Sequence, residues 1–141
     1  MTTEPFVIER TFNAPVDKVW QAITDKNKMK DWYFDIEEFE PEPGFEFKFY
    51  GGSDAVQYTH LCKITAVIPG KLLSYRWKYE GMEGESFVTF ELNDDNGKTK
   101  IKVTHAGIET FPSHPDFKRS SFEQGWNFII CKSLPEYLEK N

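Results

Sequence analysis

Large apolar residues recur along this chain with two periods, and the switch from one period to the other divides it into elements. From Phe6 to Phe12 the pattern alternates, with Phe6, Ile8, Arg10 and Phe12 on one face and Val7, Glu9 and Thr11 on the other, which predicts a first strand. Behind Pro15, Val16, Val19, Trp20 and Ile23 fall at helical spacing, and Asp25 is placed to cap a second short helix running through Met29 to Trp32. The acidic stretch DIEEFEPEPG reads as a strand that runs into a proline-rich turn.

The middle of the chain is a series of two-faced runs separated by glycine, proline and asparagine. Phe45, Phe47 and Phe49 share a face in the first, and Tyr58, His60, Cys62, Ile64 and Ala66 in the second. Leu73, Tyr75, Trp77 and Tyr79 do so in the third, Val88, Phe90 and Leu92 in the fourth. NDDNG marks a hairpin turn into a last strand carrying Ile101, Val103 and His105 on one side. Strands with one apolar and one polar face predict an antiparallel sheet with a single wet side.

The end of the chain returns to helical period. Ser120 and Glu123 have the spacing of a capping box, and Phe122, Trp126, Ile129, Ile130, Ser133 and Tyr137 trace one face, widened by Leu134 and Leu138. Pro135 removes a backbone donor and is expected to bend the last turns. The whole chain, 1–141, therefore reads as one α+β domain, a curved antiparallel sheet wrapped around a long terminal helix with two short helices after the first strand.

Composition adds one positive signal. Aromatic residues make up 16% of the 141, with 13 phenylalanines, enough to furnish either a core or the walls of an apolar cavity. A net charge of −6 offers no basic footprint for a phosphate backbone, so nucleic acid is excluded as a partner. No apolar run approaches the roughly 20 residues of a membrane span, and the acidic start MTTEPFVIER is unlike a signal peptide, which points to a cytoplasmic protein. Cys62 and Cys131 read as two buried thiols rather than a disulfide framework.

The order of elements is that of a helix-grip fold, and the stretches ERTFNAPVDKVWQAIT, KMKDWY, ITAVIPGKLLSYRW, FELNDDNGKTKIKVTHAG and GWNFIICKSLPEYLE carry a further resemblance. They are similar to successive motifs of the family of the C-terminal domain of the activator of the heat-shock protein 90 ATPase, within the START and Bet v 1-like (SRPBCC) superfamily. In this resemblance Gly125 and Trp126 match the family's "GW" and Trp32 its tryptophan after the second helix. Gly125 is expected to let the terminal helix approach the sheet closely and Trp126 to enter the interior. The sequence PEPGFEFKFYGG departs from relatives that place a double glycine before a short basic strand, and the N-terminal domain of two-domain co-chaperones has no counterpart in these residues. The resemblance implies the fold strongly and a function only in outline, since the superfamily contains lipid carriers, cyclases, aromatases and co-chaperones.

Candidate chemistry is sparse. His60, Cys62 and His105 have no recognised metal spacing, and no metal or cofactor is expected. Cys131 has only Lys132 beside it and lacks the setting of a nucleophile. Arg10 stands among inward apolar residues and calls for a partner carboxylate, exposure at the strand edge, or an anionic ligand. No nucleophile elbow or phosphate loop occurs. The sequence is therefore read as a non-enzymatic container for a small apolar or aromatic molecule. Its predicted cavity is formed by Trp32, Phe47, Phe49 and Tyr58, by Tyr75, Trp77 and Phe90, and by Trp126, Ile129 and Ile130, with Arg10, His60 and His105 as polar positions. A stress-related chaperone-binding module and a cyclase- or aromatase-like enzyme are the alternatives.

Overall fold

The first alternating run becomes β1 (Phe6–Phe12), one edge of a six-stranded antiparallel sheet in the computed structural model, which describes residues 4–52, 57–112 and 117–140. The helices α1 (Val16–Thr24) and α2 (Lys26–Trp32) follow, and the Asp25 side chain caps α2 by accepting from the Asn27 N–H at 2.9 Å. The strands β2 (Glu46–Gly52), β3 (Gln57–Ile68), β4 (Leu72–Tyr79), β5 (Ser86–Asp95) and β6 (Lys98–Ala106) complete an open sheet in the order β1-β6-β5-β4-β3-β2. The NDDNG turn has positive φ at Asn96 and Gly97, the pair of conformations that matches the twist of the flanking strands, and the Gly97 N–H donates to Asp94 Oδ1.

One side of this sheet is buried as the alternation requires. Tyr75, Phe90, Ile101 and Val103 on adjacent strands are all essentially inaccessible. A β-bulge at Thr65 breaks the parity of β3: Ile64 pairs with Tyr75 on the buried face, whereas Ala66 pairs with Ser74 on the outer one. Ala66 is thus misplaced by simple alternation, and Val67, opposite Leu73, takes the inner position.

The segment DIEEFEPEPG is not a strand. Residues 34–45 run as irregular backbone that still buries Ile36 and Phe39, the latter edge-on to Phe47 at 5.0 Å. Its carboxylates and prolines disfavour ladder pairing, while its two apolar residues suffice to tether it.

The terminal helix begins at α3 (Arg119–Phe128), passes through a π-helical turn at Ile129–Ser133, and ends as α4 (Leu134–Lys140). The capping box does not form: Lys118 is the N-cap without a side-chain bond, and Glu123 instead pairs with Arg119 at 2.9 Å. The π-turn lies immediately before Pro135. That residue has no N–H to give the Cys131 carbonyl, and the ladder slips so that the Leu134 N–H donates to Ile129, five residues back. The slip keeps Trp126, Ile130, Leu134 and Leu138 all buried against the sheet and α1–α2.

Candidate functional site

Between α3 and the inner faces of β2, β3 and β4 the packing leaves a cleft of about 600 Å³. Phe34, Gly51, Tyr58 and His60 form one wall, Trp77 and Tyr79 the floor, and Phe117, Phe122, Gly125, Trp126 and Ile129 the other wall. Phe128, 58% exposed, stands at the rim with the Lys132 ammonium 5.8 Å from its ring centroid. The aromatic surplus of the sequence is concentrated here. Phe34 stacks on Phe49 at 4.2 Å, Phe49 stacks on His60 at 4.4 Å, and Trp77 meets His60 edge to face at 4.9 Å.

Gly51 is required for this wall. A Cβ there would lie 3.0 Å from Phe34 Cε1 and 3.1 Å from His60 Cε1, so only glycine lets both rings close over the strand. Gly125 has the opposite surroundings from those expected of a close-approach glycine. It is exposed, and a Cβ added to it would meet nothing within 4 Å. Its missing side chain leaves space at the cleft instead of bringing helix and sheet together.

Beneath the cleft lies a directional chain of hydrogen bonds. The Trp126 Nε1–H donates to His105 Nδ1 at 2.9 Å, which makes Nδ1 an acceptor and places the histidine proton on Nε2. His105 Nε2 then donates to Ser86 Oγ at 2.7 Å, and Ser86 donates to the Trp77 carbonyl at 3.0 Å. Each N–H or O–H in the chain has one acceptor, and the cationic form of His105 would leave the indole N–H facing another N–H. Burial pushes the His105 pKa down to about 3.

His60 is held differently. Its Nδ1 lies 3.1 Å from the Tyr58 carbonyl, which can only accept, so Nδ1 carries the proton and Nε2 the lone pair. Burial lowers its pKa to about 4, partly offset by hydrogen bonding at the Tyr58 and Phe49 carbonyls. A second buried pair, the hydroxyls of Tyr33 and Tyr75 at 2.6 Å, lies in the core near Cys62, and burial raises the pKa of all three groups.

Of the residues predicted to form a cavity, the structure brings Tyr58, His60, Trp77, Trp126 and Ile129 to this cleft. Trp32, Phe49, Tyr75, Phe90 and Ile130 are packed into the core, and Trp32 donates from Nε1 to the Ala22 carbonyl at 2.8 Å. Phe47 borders a separate groove with Glu37, Glu46, Lys48 and Arg76. His105 is behind Trp126 rather than beside a ligand space.

Arg10 has the inward parity expected, opposite Ile101, but the side chain is exposed at the edge strand. It borders a different cleft with Lys18, Leu138 and Glu139. The edge position supplies the solvent that a buried arginine would lack. Among the described residues no three histidine, cysteine or carboxylate side chains converge as a metal site.

The sequence reading missed Phe34, Gly51, Phe117 and Phe122 in the walls and Ser86 in the relay. Phe34 and Phe117 sit on segments without periodicity, whereas the alternation of Ser86 with Val88 and Phe90 was a usable signal.

Comparison with known proteins bears on what such a cleft belongs to. The family described as "Activator of Hsp90 ATPase homolog 1-like protein" matches residues 13–139. This chain is a member of that family. Protein MLL2253 from Mesorhizobium loti is 26% identical and superposes with a TM-score of 0.79, covering 97% of this chain and 98% of that one. DynU16, a protein of the dynemicin biosynthetic locus, is 22% identical with a TM-score of 0.80, over 98% of this chain and 48% of its own. CalU16 from Micromonospora echinospora is 24% identical with a TM-score of 0.68, over 96% and 79%. These likenesses establish the helix-grip fold, and membership of the family is consistent with a ligand-binding type of domain. A comparison with curated proteins gives no significant match. Among the described residues no helix is long and apolar enough to cross a membrane.

Proposed function

We propose that this protein binds a small aromatic or apolar molecule in the cleft between β2–β4 and α3, without transforming it. The observation that supports this most directly is the cleft itself, about 600 Å³ of space walled by Phe34, Tyr58, Trp77, Phe117, Trp126 and Ile129. That volume suits a molecule of two or three rings, and apolar walls with few polar groups are the usual lining of such sites. An enzymatic reading has less support: His60 and His105 are both neutral near pH 7 and on separate hydrogen-bond systems, and the hydroxyl that His105 touches, Ser86 Oγ, is fully buried outside the cleft with its proton given to the Trp77 carbonyl.

The test is a titration of the ¹⁵N-labelled protein with 2-naphthol followed by amide and indole resonances. Shifts confined to Tyr58, Gly125, Trp126, Ile129 and the Trp77 indole are expected. No shift up to the solubility limit, or shifts only on the outer sheet face, would overturn the reading.

The family description motivates a second proposal, a chaperone partner docking on the exposed carboxylates Asp35, Glu37, Glu38 and Glu40. It predicts association that weakens with salt, and resonances of residues 35–42 that stay unmoved on adding a heat-shock protein 90 chaperone would remove it.

A further inference from the structure

Two polar atoms on residues that line the cleft are left unmatched, and they are complementary. Trp77 is 6% exposed, and its Nε1–H is a buried donor with no acceptor. Buried N–H groups without a partner are rare because the lost hydration is not replaced, and one beside an open cleft calls for an acceptor that arrives from outside the chain. His60, whose ring centroid lies 4.9 Å from that of Trp77, has the opposite imbalance. Its Nδ1–H is spent on the Tyr58 carbonyl, so Nε2 offers a lone pair, and no described residue donates to it.

The other indole in the cleft is not available for this role. The Trp126 N–H is committed to His105, and the relay through Ser86 to the Trp77 carbonyl uses up that histidine. Among the buried described side chains that line this space, Trp77 thus keeps an unused donor and His60 an unused acceptor.

We infer that the cleft reads the edge of a planar aromatic ligand on which a hydrogen-bond acceptor stands next to a donor, as in a lactam or an ortho-hydroxy carbonyl. On binding, the Trp77 ring turns so that its Nε1–H, buried in the unliganded protein, meets the carbonyl of such a ligand, whose N–H or O–H donates to His60 Nε2. The inference rests on the proposed ligand-binding function and adds the polar signature that function requires. It also gives Gly51 a purpose: the glycine lets the His60 ring settle flat on Phe49, which sets where Nε2 stands.

The experiment compares 2-quinolone, a bicyclic lactam, with 1-methyl-2-quinolone, which keeps the carbonyl and rings but has no N–H. On the native protein the lactam is expected to bind about tenfold more tightly, the effect of one buried hydrogen bond gained and none left open. Its binding should move the Trp77 indole proton downfield and shift the ¹⁵N resonance of His60 Nε2 away from its unbonded position. In His60→Phe, which keeps a stacked ring, the two compounds should bind equally. If both bind the native protein equally while shifting Tyr58, Gly125 and Ile129, the cleft binds ligands but does not read this edge, and the inference falls alone. If neither shifts any cleft residue, the inference and the proposed function fall together.

Discussion

The indole N–H of Trp126 on the terminal helix donates to Nδ1 of His105 on β6 across 2.9 Å, and this one bond fixes both the tautomer of the histidine and the seat of the helix on the sheet. Trp126→Phe keeps most of the ring but orphans Nδ1, so a loss of about 1–3 kcal/mol is expected. Trp126→Ala also opens a cavity and should cost roughly 3–5 kcal/mol. Urea denaturation at pH 7.5 checks both, and an unchanged stability of Trp126→Phe would show that the hydrogen bond contributes little.

The two buried histidines make the protein acid-labile in a defined window. Their folded pKa values, about 4 for His60 and about 3 for His105, lie below the ordinary 6.5, so the unfolded chain binds more protons and stability falls as pH drops. The loss begins near pH 6.5, involves both rings to about pH 4 and His105 alone to about pH 3. Each contributes a slope of up to about 1.4 kcal/mol per pH unit where it is charged only in the unfolded state. Denaturation midpoints from pH 7.5 to 4.5 should show this slope, and His60→Phe should remove about half of it. A flat profile between pH 6.5 and 5 would contradict the burial of both rings.

Gly125 separates helix stability from cleft shape. It lies exposed within α3, and a methyl group at its Cβ position would have no neighbour within 4 Å, so Gly125→Ala should stabilise the protein by up to about 1 kcal/mol through helix propensity. Gly125→Leu should instead fill part of the cleft and weaken 2-naphthol binding several-fold. Thermal denaturation paired with the binding titration distinguishes the two effects; a destabilised alanine variant would mean that helix and sheet do need the glycine.

Gly51→Ala tests the opposite wall. The new methyl would press on Phe34 and His60 at 3.0 and 3.1 Å, and the expected cost is about 1–3 kcal/mol with loss of Phe34–Phe49 ring contacts in nuclear Overhauser spectra. Unchanged contacts and an unchanged melting temperature would show the wall to be more pliant than its packing implies.

The sequence by itself determined the six strands, the helices and most of the inner face of the sheet, but not the irregular course of DIEEFEPEPG or the outward turn of Ala66. Period-two alternation in β4, β5 and β6 and the Asn96–Gly97 turn are local properties, set by the pleat and by backbone sterics, and they identify Tyr75, Trp77, Phe90 and His105 as inward without reference to any other part of the chain. Helical spacing likewise marked Trp126 and Ile130. Only the tertiary structure decided which inward residues are core and which are cleft. Phe49 and His60 share a face and stack on one another, yet only His60 borders the open space, because Phe34 from the irregular segment 34–45 covers Phe49. It also decided that Arg10 reaches solvent, that Thr65 bulges and reverses the parity behind it, and that Pro135 is absorbed by a π-turn. The physical reason is common to these cases: alternation and helical period report which side a residue faces, whereas burial depends on what another segment, distant in sequence, places over it.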